Sequence, residues 1–186
     1  MTKPFVWTLL GLATLAACAR EEEPVAPASG DLPAAIALRD PGGRLLANAT
    51  VDEGAGVRVR VEAAGLVAGT YAVHLHETGL CEPPAFASAG AHWNPTQRQH
   101  GRLNPLGPHL GDLPNLTVGS DGAGAVEFTV QGVSFHRGDR RLLDADGAAL
   151  VIHTGPDDYR TDPSGSSGAR LACGVVAGDD LNQLPD

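Results

Sequence analysis

The sequence predicts an all-β domain, a Greek-key barrel or sandwich of short antiparallel strands with two long functional loops. Three observations predict it. Apolar and charged residues alternate with period two through Val57-Arg58-Val59-Arg60-Val61-Glu62, as in a half-buried strand. Turn sequences recur between such runs, at Asp40-Pro41-Gly42-Gly43, Asp52-Glu53-Gly54, Ser120-Asp121-Gly122 and Asp146-Gly147, at the spacing of a sandwich or barrel. No stretch carries a convincing helical apolar period.

At the N-terminus, Lys3 precedes an apolar run from Phe5 to Leu15 that leads through Ala16-Ala17 to Cys18. The run is too short to span a bilayer and reads as an export signal. Small residues running directly into a cysteine look like a bacterial lipobox, so residues 1–17 are expected to be a lipoprotein signal peptide and Cys18 the acylated mature N-terminus. Setting Cys18 aside from the three cysteines leaves Cys81 and Cys173, an even pair, and one disulfide in an oxidising compartment follows. Residues 18–33 hold charge, proline and small residues with almost nothing to bury, and read as a tether. Ala19 lacks the aspartate that often retains lipoproteins at an inner membrane. The expected location is therefore the cell envelope, on the periplasmic side, at an outer membrane where the host has one.

Residues 34–186 are expected to form a single domain, long enough for a proper core. Strands are expected at Ala35–Arg39, Val57–Glu62, Thr70–Val73 and Ala149–Ile152, separated by the turns named above. The formal net charge is −9, from 13 basic and 22 acidic residues. Nucleic acid is excluded as a natural partner, and membrane contact is expected only through the lipid anchor. An anionic substrate would need a local positive centre. Monomer and homodimer both stay open. Two stretches rich in glycine, proline and polar residues, Glu77 to Leu113 and Thr154 to Arg170, are too long for simple connections and read as functional loops.

The histidines sit on these loops and at the strand ends that feed them. His74-Leu75-His76 closes a strand pattern, so its two imidazoles project from one face as a bidentate metal grip. His92, His100 and His109 follow in the first long loop, with Asp112 three positions on. Three imidazoles and a carboxylate suit tetrahedral zinc. His153 closes another strand pattern and would give His74 and His76 a third nitrogen partner of the kind Cu(II) favours. The remaining histidine, His136, lies in the basic cluster His136 to Arg141, read as a solvated loop.

At these residues the sequence resembles the copper/zinc superoxide dismutase family, in its bacterial lipoprotein form, over about Ala35 to Ala177. The resemblance rests on Val73-His74-Leu75-His76-Glu77, Ser88-Ala89-Gly90-Ala91-His92-Trp93-Asn94-Pro95, His100-Gly101, His109-Leu110-Gly111-Asp112-Leu113-Pro114-Asn115, Leu150-Val151-Ile152-His153 and Gly168-Ala169-Arg170-Leu171-Ala172-Cys173-Gly174. It implies copper on His74, His76, His92 and His153, and zinc on His92, His100, His109 and Asp112, with His92 shared. It implies further that Asp157 hydrogen-bonds one histidine of each set, plausibly His74 and His100, and that Cys81 pairs with Cys173. The implied reaction is disproportionation of superoxide to dioxygen and hydrogen peroxide, protecting the cell envelope, with Arg170 docking the anion and His92 donating a proton.

Departures from the family pattern are local. The second loop has no lysine where many members place lysine and glutamate to steer substrate, Ala72 replaces a glycine before the first copper histidine, and Leu80 stands where small or acidic residues are usual. The alternative reading is a copper-binding or copper-delivery module on the same fold without turnover. Relatives of that kind typically lose ligands or the arginine, and this chain keeps both sets.

Overall fold

The computed structural model describes residue 1 and residues 34–176. The signal segment, Cys18 and the tether lie outside the described residues. Among the described residues nine strands follow one another: β1 (Ala34–Arg39), β2 (Leu45–Glu53), β3 (Gly56–Ala63), β4 (Gly69–Tyr71), β5 (Val73–His76), β6 (Leu116–Val118), β7 (Ala125–Gln131), β8 (Ala148–His153) and β9 (Arg170–Val176). The one helical turn among the described residues is the 3-10 segment Ala87–Ala89.

Seven strands form one antiparallel sheet in the order β5-β8-β9-β1-β2-β3-β7, and β4 pairs with β6. The sheet curls into the expected all-β architecture. In β3, Val57, Val59 and Val61 are buried, while Arg58 and Arg60 face water and meet Asp52, Glu62 and Glu127. These exposed ion pairs contribute little to stability. The inward residues join Leu38, Leu46, Val51, Leu75, Leu116, Phe135, Leu142, Leu150 and Ile152 in the main core.

β8 differs from β3 because all six of its residues are buried. Its inner face, Ala148, Leu150 and Ile152, belongs to the main core. Its outer face, Ala149 and Val151, is covered by Phe86, Ala89 and the disulfide. A strand covered on both faces is apolar at nearly every position, which is why Ala148 to Ile152 reads as a continuous apolar run. The strand pattern expected from Thr70 to Val73 is interrupted at Ala72, whose N–H donates to Gly155 and whose carbonyl accepts from His153. Through that break the chain passes from the β6-paired strand to the main sheet.

Candidate metal centre

The alternation of β5 decides where its histidines go. Val73 and Leu75 enter the core, so His74 and His76 stand on the opposite face, where they too are fully covered. The cover is the first long loop. Leu75 N–H donates to Gly111, Trp93 N–H to Leu75 and Gly111 N–H to Trp93, and isolated bridges set His76 beside His92 and His74 beside Asp112. An irregular loop thus gains the fixity of a sheet edge, and its ligand-type residues are held against those of β5. On the other side β8 carries His153, paired with Arg170 across a register shift between Ile152 and His153. Such irregularities re-aim side chains at sites.

The resulting cluster brings His74, His76, His92, His100 and His153 together with Asp112, and sets His109 beside Asp112. Side-chain donor atoms of His74, His76, His92 and His153 lie within 4.8 Å of one another, as do those of His74, His92, His100 and Asp112. His109 completes the second group through Asp112. The Nδ1 atoms of His92, His100 and His109 stand 3.0, 3.0 and 3.1 Å from the same oxygen, Asp112 Oδ1. Ligands at about 2.0 Å from a tetrahedral zinc are separated by about 3.3 Å, so this convergence suits one zinc-sized cation. Both groups include His92, and the ring centroids of His74 and His92 are 4.0 Å apart.

The hydrogen bonds show which imidazole atoms are free to bind a metal. His76 Nδ1 donates to Gly90 O at 3.0 Å, and His153 Nδ1 points at Gly168 O at 3.4 Å. His74 Nε2 and His100 Nε2 both donate to Asp157, at 3.0 and 2.9 Å. In a neutral ring with one nitrogen donating, the other presents a lone pair. Those other atoms, His74 Nδ1, His76 Nε2, His100 Nδ1 and His153 Nε2, are buried without a hydrogen-bond partner. His100 Nδ1 lies 3.0 Å from Asp112 Oδ1 without a hydrogen bond forming, as two ligands facing a common cation would. Buried polar atoms are rarely left alone. Four orphaned ring nitrogens in one cluster are a metal-binding constellation, and the donor set fits both copper and zinc.

Electrostatics follow burial and pairing. Burial pushes the imidazoles of His76, His153 and His92 down to about 2, 3 and 4, so they are neutral and ready to coordinate. For His100 burial acts downward too, but the carboxylates of Asp112 and Asp157, 3.0 and 2.9 Å from its two ring nitrogens, outweigh it and raise the ring to about 9, so without metal it holds a proton that a bound cation would displace. Burial alone would raise Asp112 and Asp157. The histidines that face them instead hold both carboxyls well below the usual range.

Asp157 is fully buried between the two sets, as the resemblance implies. Gly165, in the left-handed region with φ 65°, packs so close that a Cβ there would sit 1.8 Å from Asp157 Oδ1 and 2.6 Å from His100 Nε2. Arg170 is half-buried, with its guanidinium donating to Phe86 O and Gly90 O at 2.5 Å each. It lines an open cavity of about 1110 Å³ together with His76, His92 and His153. Cys81 and Cys173 form the disulfide, 92 residues apart in sequence. His136, Arg137, Arg140 and Arg141 are exposed on their loop, as expected, and Arg137 pairs with Glu53.

Several functional groups escape sequence reasoning. The carbonyls of Phe86 and Gly90 are backbone atoms with no residue-type signal. Asp162, which accepts the His100 N–H at 2.6 Å, could have been suspected from the Asp162-Pro163 turn signal.

Comparison with known proteins agrees with this chemistry. The family model described as copper/zinc superoxide dismutase matches residues 42–176. The chain is 42% identical over 151 residues to superoxide dismutase [Cu-Zn] 2 of Aquifex aeolicus, covering 80% of this chain and 88% of the relative. It is 46% identical over 124 residues to the Caulobacter vibrioides superoxide dismutase [Cu-Zn], covering 65% and 71%. The crystal structure of a SOD-like protein from Bacillus subtilis superposes with a TM-score of 0.72 at 36% identity, over 77% of this chain and 98% of the other.

Proposed function

This chain belongs to the copper/zinc superoxide dismutase family and is an enzyme that takes copper and zinc and acts on superoxide, and from that premise we propose how its residues divide the work. His74, His76, His92 and His153 hold copper; His92, His100, His109 and Asp112 hold zinc. His92 belongs to both sets, with Nδ1 on the zinc side next to Asp112 and Nε2 toward the copper ligands. The observation that carries this division is the set of four buried, unpartnered nitrogens in rings whose other nitrogen is engaged.

When bound, copper supplies the one-electron redox chemistry by which two superoxide ions and two protons become dioxygen and hydrogen peroxide. The residues around it bind, orient and protonate. Arg170 offers two N–H edges fixed by Phe86 and Gly90, a permanent cation in a cavity whose chain is otherwise acidic. Burial lowers its pKa without discharging a guanidinium. His92 lines the cavity, and its Nε2 would deliver one proton to the reduced substrate while Nδ1 stays on the side of Asp112. Asp157 fixes the ring orientation of His74 and His100 and so couples the two halves. Copper delivery without turnover is not favoured, since no ligand is missing and Arg170 is in place.

The reading extends to placement: an exported protein anchored in the cell envelope through lipid on Cys18. A disulfide supports an oxidising compartment. One experiment tests the whole reading. The full chain is expressed in a bacterial host, the membrane fraction is collected, and copper, zinc and superoxide disproportionation are measured on the purified protein, alongside Cys18→Ala. One copper and one zinc per chain with fast turnover, and an active soluble Cys18→Ala form, are expected. Metal bound without turnover would overturn the enzymatic division of roles; a Cys18→Ala form still in the membrane would overturn the anchor.

A further inference from the structure

Tyr159 has no part in the roles above, yet it meets both loops. Its φ is 61°, in the left-handed region that a bulky aromatic residue rarely adopts. Strain of that kind persists where surrounding contacts over-determine it, and here they do. The Tyr159 N–H donates to Asp157 Oδ1 at 2.6 Å. Its hydroxyl accepts the Asn115 N–H at 2.8 Å, its carbonyl accepts the Leu103 N–H at 3.0 Å, and the Arg102 guanidinium lies 4.1 Å above its ring.

Each contact touches a stretch that sets a zinc-side group. Leu103 and Arg102 follow His100, and between them Gly101 donates its N–H to Asp112 Oδ2 at 2.8 Å. Gly101 passes so close to Tyr159 that a Cβ would lie 2.2 Å from the tyrosine carbonyl. Asn115 stands three residues after Asp112, and its side chain brackets the Asp157 backbone, donating to the carbonyl at 3.0 Å and accepting from the N–H at 2.9 Å. The second loop is thereby fastened to the first near both ends of the His100–Asp112 segment, at Gly101 to Leu103 and at Asn115.

We propose that Tyr159 is a positioning residue, a latch that holds Asp157, His100 and Asp112 in register and so keeps zinc in the site. The proposal rests on the ligand division given under Proposed function. It concerns retention of the metal, separately from turnover. Of the copper set, His74 is tied to Asp157, but His76 and His153 are oriented by Gly90 and Gly168, outside the reach of Tyr159, so copper should depend on it less than zinc does.

The test uses the metal-loaded full chain with its disulfide intact and follows zinc release to a chromophoric chelator in wild type, Tyr159→Phe and Tyr159→Asn. Phenylalanine removes only the hydroxyl acceptor. Asparagine tolerates the left-handed backbone but loses ring and hydroxyl. Zinc should leave several-fold faster from Tyr159→Phe and about tenfold faster or more from Tyr159→Asn, the scale seen when the partners of metal ligands are removed. Amide exchange at Asn115 should quicken in both variants. Wild-type release rates in both would overturn the latch. Equal loss of copper together with a lowered unfolding midpoint of the metal-free protein would also overturn it, making Tyr159 a general stabiliser. A wild-type chain that takes up no zinc would overturn the ligand division and the latch together, an outcome visible before any variant is made.

Discussion

Arg170 is held at two of its guanidinium nitrogens by carbonyls, leaving its charge without a carboxylate partner among the described residues, at the edge of the cavity. A cation so placed costs burial and is useful only if an anion arrives. Arg170→Ala should therefore lower kcat/KM for superoxide roughly tenfold or more, about what one charge-assisted hydrogen bond in a partly screened site contributes. Copper and zinc content should stay unchanged; loss of copper in the variant would mean that the arginine works by supporting the loop. Residue types carried much of this legibly: six of the seven histidines, and Asp112, at metal-ligand spacings are visible in the sequence. The groups that aim them are not, because the carbonyls of Gly90 and Gly168 and the left-handed turn at Tyr159 are properties of backbone path that no residue type at those positions announces.

Strands β5 and β8 supply His74, His76 and His153; β5 was readable by its alternation of apolar residue and histidine, and β8 by a continuous apolar run that ends at His153. The first loop was legible as functional by length and composition, but its pairing with β5 through Leu75, Trp93 and Gly111 was not, since no period marks it. What fastens the outer part of this loop is the disulfide from Cys81 to Cys173 in β9, over the small cluster of Phe86, Ala89, Ala149 and Val151. Closing a separation of 92 residues contributes about 4.5 kcal/mol in the chain-entropy model, an upper figure because residual denatured structure reduces it. A Cys81→Ser, Cys173→Ser double variant should lose about 3 to 4 kcal/mol in urea unfolding of the metal-free protein. It should also lose activity out of proportion to its zinc, because Phe86 and Gly90 orient Arg170 from the same loop. Undiminished activity with a lowered midpoint would separate the disulfide from the arginine and confine it to stability.

Across the whole molecule, the metal-free domain buries several neutral imidazoles, and this fixes how its stability changes with pH. His76, His153 and His92 are pushed down to about 2, 3 and 4 by burial, whereas in the unfolded chain each titrates near ~6.5. Between about pH 4 and 6.5 the unfolded state therefore binds more protons, and stability must rise with pH across that window. His100 works the other way. Its pairing with Asp112 and Asp157 raises it to about 9, so its contribution is fully present below ~6.5 and is lost as pH rises through about 9. Asp112 and Asp157, held low by the same partners, add stability above the ordinary carboxylate range and lose it only in strong acid. The urea midpoint of the metal-free, disulfide-intact protein should climb from pH 4.5 to about 6.5, hold near neutrality and decline toward pH 9.5. Copper and zinc should flatten the acid limb near neutral pH and steepen it lower down, because coordination competes with protons for the same lone pairs. A midpoint that stays level between pH 4.5 and 6.5 without metal would show that these imidazoles are hydrated in solution, and the four orphaned ring nitrogens would then lose their meaning as a preformed metal site.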